Sequence, residues 1–293
     1  MGSQSILIRD VTARDGIQNE KPLSVDVRVE LVNSLVNAGV RSLEVGSFVR
    51  ADVIPAMENA TEVLTKIKRD RDTTYWALVP NAKGAQMAID ANADALSITA
   101  SASEAYAQKN VGKTVAESIA ECENIAKVAQ NKPIDAVISC SFGSPWEGDI
   151  DAKDVATIAQ QLRNAGASRI TLADTTGMGT PRLVMALVHE LGNDISFHFH
   201  DTRGTALVNA VAAMSAGVRR FDTAVGSIGG SPFAADAGGN LGTEDLLHLL
   251  QYFGVQTGID FDAIVKVSEF LKEQLGHELN SRVSLRGPRW KRA

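Results

Sequence analysis

Two cysteines among 293 residues, Cys122 and Cys140, are too few for a disulfide framework and fit a reducing compartment. No apolar run approaches the roughly 18 residues that a membrane span requires. The start, Met1 to Ser5, lacks the basic and apolar stretches of a secretory signal. Charge of one sign is never concentrated: 35 acids and 29 bases leave a net −6 without long single-sign runs, which excludes the basic face of a nucleic-acid binder. The end, Arg286 to Ala293, is basic but carries no lipidation or peroxisomal address, so residues 281–293 read as a solvated tail. No linker rich in Pro, Gly or Ser divides the chain. What remains is a cytoplasmic protein without a membrane or nucleic-acid partner, whose residues 1–280 form one domain with a large core.

One short pattern recurs: a helix closing on a small residue and Gly or Asn, then an apolar strand. It appears at Asn37–Val45, Asp90–Ile98, Asn164–Leu172 and Ser215–Thr223. The punctuating residues Gly39, Asn92, Gly166 and Gly217 suit the left-handed position past a helix end. Their separations of 53, 74 and 51 approximate two, three and two units of about 25 residues, the length of a strand plus a helix. Filling the gaps predicts strands near 5–11, 41–46, 73–79, 94–99, 134–140, 168–173, 195–199 and 219–224. Helices are predicted near 24–38, 53–68, 81–91, 114–130, 151–165, 180–191, 204–216 and 243–253, the sixth started by Thr180 as cap and Pro181. Eight of each make a (β/α)8 TIM barrel, an α/β fold, with a doubly wound open sheet as runner-up. An extra C-terminal helix falls near 259–275.

Catalytic groups of such barrels gather at the C-terminal strand ends. The first strand ends with Arg14 and Asp15, which alone would read as an ordinary turn. The seventh ends Phe197-His-Phe-His-Asp201; His198 and His200, two apart, share the inner face and point to a divalent metal. After the eighth strand, Gly226–Asn240 holds five glycines in 15 residues, a lid or a backbone cradle. Asp15, His198, His200 and Asn240 then offer two oxygens and two nitrogens, with positions open for a chelating substrate. That set suits Mg2+ or Mn2+ and is compatible with Fe2+ or Zn2+.

These segments, with Gln18-Asn-Glu-Lys21, Glu44, Ser47-Phe-Val49, Ala102-Ser-Glu104, Ser139-Cys140, Asp174–Pro181 and Thr243-Glu-Asp245, resemble the 3-hydroxy-3-methylglutaryl-CoA lyase family. That family lies within a wider superfamily of metal-dependent barrel lyases, aldolases and Claisen-condensing enzymes. The resemblance implies the same four metal ligands, Arg14 neutralising the enolate oxygen, and Glu44 beside the metal. Gln18 and Asp174 would be further members of the site, Gln18 toward the substrate. One position departs from the family: Ser231 stands where the family carries an acid/base cysteine, and a hydroxyl is a far weaker acid than a thiol. Ser144 likewise stands where relatives often carry cysteine, while Cys140 reads as a small buried hydrophobe.

The expected activity is metal-dependent cleavage of a 3-hydroxy-3-methylglutaryl-CoA-like thioester to acetyl-CoA and a keto acid, with the general base open among Asp15, His198 and a metal-bound hydroxide. The alternatives are an aldolase acting on a hydroxy keto acid and a non-catalytic metal- and acyl-CoA-binding relative. The partner is a small acyl-CoA, with Lys109 and Asn110 as candidate edges of its site. A homodimer is compatible with the sequence.

Overall fold

A computed structural model describes residues 5–231, 238–287 and 289. Eight parallel strands, β1 (Leu7–Asp10), β2 (Ser42–Ser47), β3 (Thr74–Leu78), β4 (Ala95–Ser101), β5 (Ile134–Ser139), β6 (Arg169–Ala173), β7 (Ser196–His198) and β8 (Arg220–Thr223), pair in sequence order. The last closes on the first, Leu7 opposite Arg220, giving the expected (β/α)8 barrel. The helices that wrap it are α1 (Val25–Asn37), α2 (Ala60–Lys66), α3 (Ala82–Asp90), α4 (Val115–Val128), α5 (Ala152–Asn164), α6 (Pro181–Leu191), α7 (Ala206–Ser215) and α8 (Thr243–Tyr252), followed by α9 (Phe261–Leu275).

Local chemistry sets these boundaries. Gly39, Asn92, Gly166 and Gly217 all take positive φ, 95°, 66°, 108° and 94°, turning the chain from helix to strand. Thr180 caps α6, its Oγ1 accepting from the Leu183 N–H at 3.4 Å, with Pro181 at the first helical position.

Five features depart from the sequence reading. The helix expected over 53–68 is split into a 3-10 turn, Pro55–Met57, and α2, because Asn59 is left-handed. A π-helical turn, Thr12–Gly16, follows β1 where a plain turn was expected. A short helix, Glu104–Val111, follows β4, and residues 143–144 pair with 148–149 in a small hairpin. The segment expected as a solvated tail begins docked: Arg282–Arg286 is helical, and Asp245 Oδ1 accepts from the Val283 N–H (2.8 Å) and the Ser281 hydroxyl (3.0 Å). Residues 232–237 of the glycine-rich stretch, and 288 and 290–293 of the tail, lie outside the described residues.

The barrel interior is not wholly apolar. Arg9 on β1 grips Asp222 on β8 through two bonds (2.9 and 2.7 Å) and reaches Asp135 on β5 at 2.7 Å. All three are buried, so each charge depends on the others for compensation.

Glu244 on α8 is buried, accepting from the Gly226 N–H and, at 2.5 Å, from the Ser284 hydroxyl. Burial raises its pKa from 4.5 to about 7, against the pull of those bonds. The folded state therefore binds this proton more tightly than the unfolded chain, and the resulting stability is lost as pH rises from 4.5 through 7. Glu244→Gln, which imitates the protonated acid, should gain stability over the parent across that window by up to about 1.4 kcal/mol per pH unit. Thermal melts of both proteins between pH 5 and 7.5 measure it; a pH-independent difference would refute the assignment.

Candidate active site

In an extended strand, neighbouring side chains point to opposite faces. The π-helical turn after β1 instead buries both Arg14 and Asp15 at the barrel mouth. Arg14 donates through Nη1 to Asp15 Oδ1 (2.5 Å) and through Nε to Glu44 Oε2, in a very short contact. Glu44 is fully buried on β2, beside a register shift between residues 44 and 46. Nη2 of Arg14 makes no hydrogen bond among the described residues.

His198 ends β7, and His200 lies just beyond it, bridged to Asn240. Their Nε2 atoms are 3.1 Å apart, and His198 Nε2 is 4.0 Å from Asp15 Oδ2. One ligand atom from each of Asp15, His198 and His200 lies within 4.8 Å of the others, and all three residues are buried. The two-residue histidine spacing therefore brings both rings to one point, as expected. Asn240 joins them, donating through Nδ2 to Asp15 Oδ2 (2.7 Å) and the Ile228 carbonyl (2.8 Å).

The protonation states suit a cation. Burial alone would raise the Asp15 pKa, but Arg14, the two histidines and Asn240 outweigh it and hold the carboxyl well below its ordinary range. Burial, then the charge of His198, pushes His200 down to about 4, leaving a neutral imidazole at pH 7. Asp222 works against burial under the influence of Arg9 and His198 and sits at about 2, so it only accepts; the 3.1 Å contact makes His198 Nδ1 the donor. That donation orients the ring so that Nε2, the nitrogen facing His200, is the one turned toward the cluster. A carboxylate, an imidazole oriented through its other nitrogen and a neutral imidazole form a donor set that fits a divalent ion.

A cavity of about 460 Å3 opens over this cluster, lined by Arg14, Asp15, Gln18, His198, His200 and Ser231, among others. Gln18 donates to Asp15 Oδ1 (2.9 Å) and to the Gly230 carbonyl (3.0 Å), joining the cluster to the glycine-rich stretch. Gly229 is required by closeness: at φ +95° an added Cβ would meet the Asn240 amide nitrogen at 2.5 Å and the Asp15 carbonyl at 2.6 Å.

Asp174 is not on the cavity wall. Its Oδ1 accepts from the Gly179 N–H (2.9 Å), shaping the loop after β6, and burial raises its pKa to about 6. Ser144 is buried and bonded to Ser103 at 3.1 Å, also off the wall. Burial pushes the Cys140 thiol up to about 12, so it is inert at neutral pH. Asn110 reaches the cavity, whereas the Lys109 ammonium lies 4.7 Å over the Trp146 ring.

Two residues of this region escaped the sequence reading. Asp222 carried a usable signal, a carboxylate at the middle of an otherwise barrel-forming strand. Tyr106 carried only its place two residues past Ala102-Ser-Glu104; its Oη is 2.6 Å from Ser231 Oγ.

Comparison with known proteins shows what the whole chain resembles. The model of a family described as HMGL-like matches residues 5–271. The hydroxymethylglutaryl-CoA lyase of Pseudomonas mevalonii is 36% identical over 96% of each chain. A 3-hydroxy-3-isohexenylglutaryl-CoA/hydroxy-methylglutaryl-CoA lyase of Pseudomonas aeruginosa is 35% identical, again over 96% of each. An HMG-CoA lyase from Acinetobacter baumannii, solved in complex with coenzyme A and 3-methylmalate, superposes with a TM-score of 0.95 at 36% identity, covering 100% of this chain and 98% of that one.

Proposed function

Because this chain belongs to the HMGL-like family, we propose that it is a divalent-metal-dependent carbon–carbon lyase. It cleaves 3-hydroxy-3-methylglutaryl-CoA, or a close acyl-CoA analogue, to acetyl-CoA and a keto acid. The observation that carries this reading is the convergence of Asp15, His198 and His200 with Arg14 against Asp15 on one cavity wall.

Asp15, His198 and His200, with the amide oxygen of Asn240, would hold the ion; Mg2+ or Mn2+ suits this mixed set together with substrate oxygens. Bound there, it supplies Lewis acidity toward the substrate's tertiary hydroxyl and carboxylate. Arg14 does the complementary work on the thioester side. Guanidinium stays charged at any working pH, and Glu44 and Asp15 fix its orientation before substrate arrives. Its Nη2 is left for the thioester oxygen, where negative charge develops as the carbon–carbon bond breaks. Ser231, held on the wall by a backbone that Gln18 and Asn19 both grip at the Gly230 carbonyl, carries a proton that the released fragment needs. Apolar wall residues such as Val49, Leu78 and Ile98 keep water from that fragment.

No helix among the described residues is long and apolar enough to cross a membrane. A cytoplasmic setting is supported by the two free, buried thiols.

The test is a panel of CoA thioesters and hydroxy keto acids, assayed after chelation and again after refilling with Mg2+ or Mn2+. Acetyl-CoA release only from thioesters, and only after refilling, is expected. Cleavage of keto acids without thioester turnover would make the protein an aldolase, and metal binding without any turnover would remove catalysis altogether.

A further inference from the structure

Tyr106 sits in the short helix Glu104–Val111, where the Ser103 side chain caps its backbone N–H at 3.0 Å. Its ring is buried, with the Trp146 ring centroid 6.2 Å away. Packing accounts for the ring but not for the hydroxyl, because phenylalanine would fill the same space. That hydroxyl lies 2.6 Å from Ser231 Oγ, contributed by a loop 125 residues away, and both residues line the cavity over the metal-ligand cluster.

We propose that Tyr106 is a positioning residue acting through Ser231, passing its phenolic proton to the serine as the serine protonates the carbon released by cleavage. The inference rests on the lyase reading. Acting alone, a serine alcohol would be left as an alkoxide, far more basic than a phenolate, whose conjugate acid has an ordinary pKa near 10. In the relay, the Ser231 O–H breaks as the new C–H forms, and the Tyr106 O–H breaks as the serine regains its proton. The pair ends one proton short, matching the proton that the general base took from the substrate's tertiary hydroxyl, and water returns it after product release. Burial raises the phenol above its ordinary range, so it enters carrying its proton; the Ser231 hydrogen bond pulls the other way, favouring the phenolate that the relay forms.

Tyr106→Phe keeps the ring and removes the relay. On hydroxymethylglutaryl-CoA, with metal loaded, it should lower kcat about 10- to 100-fold while KM moves less than about 3-fold. The same change should slow enzyme-dependent exchange of acetyl-CoA methyl protons with D2O. Adding Tyr106→Phe to Ser231→Ala should cost nothing further, because the group it acts through is gone. In Ser231→Cys the thiol supplies its own acidity, so Tyr106→Phe should cost less than about 3-fold there. An equal loss in all three backgrounds would make the phenol independent of Ser231, and no loss in the parent would remove its role; either overturns the relay alone. A parent that releases no acetyl-CoA from any thioester overturns the lyase reading and the relay with it.

Discussion

Arg14→Met should lower kcat for thioester cleavage by about 100-fold or more, with a much smaller rise in KM. The asymmetry follows from timing: the thioester oxygen is neutral when substrate binds and acquires charge only as the bond breaks. The geometry adds a complication that the assay must separate. Arg14 compensates fully buried Glu44 and helps keep Asp15 ionised, so its loss leaves a buried carboxylate unpaired and weakens a metal-ligand candidate. A paired variant, Arg14→Met with Glu44→Gln, removes both charges and restores the balance of the site. Single-turnover acetyl-CoA release should stay depressed in the paired variant although its thermal stability recovers. Turnover within a few-fold of the parent, in either variant, would sink the oxyanion role. Lysine is the less informative replacement, since it keeps the charge.

His198→Ala and His200→Ala should each weaken divalent-ion binding by more than the roughly 10- to 100-fold that loss of an outer partner costs. Asp222→Asn, which keeps the shape but removes the carboxylate that orients the His198 ring, should fall within that milder range. Mn2+ titration against a competing chelator reads all three without reference to turnover. Unchanged affinity in both alanine variants would end the ligand assignment.

The contrast between these histidines and Tyr106 shows what a linear chain reveals. His198 and His200 are two apart at a strand end, so local periodicity alone brings them together, and their rings do meet. The barrel was equally legible, since Gly39, Asn92, Gly166 and Gly217 mark the helix-to-strand turns by their own backbone preference. Tyr106 and Ser231 meet only because a helix after β4 and a loop after β8 converge over the mouth, which no local pattern encodes. The π-helical turn was hidden for another reason. Arg14-Asp15-Gly16 reads as a turn by its residues, and only the hydrogen bond from the Gly16 N–H back to the Val11 carbonyl reveals the wider coil that buries both charges. The break at Asn59 was concealed by apolar spacing that runs unchanged across it.

Arg9 has a consequence for the chain while it is still being made. Its bidentate carboxylate, Asp222, is encoded 213 residues later, so at about 5–20 residues per second the ribosome needs roughly 10–40 s to deliver it. Through that interval Asp135 is the one of its two paired carboxylates already made, and the last strand that would seal the sheet does not yet exist. The nascent chain cannot close its barrel early around a dry centre; an ionised arginine keeps the unfinished sheet wet until β8 arrives with the second carboxylate. Ribosome-stalled chains ending before residue 222 should accordingly be cut readily by protease, and chains with β8 outside the exit tunnel should resist.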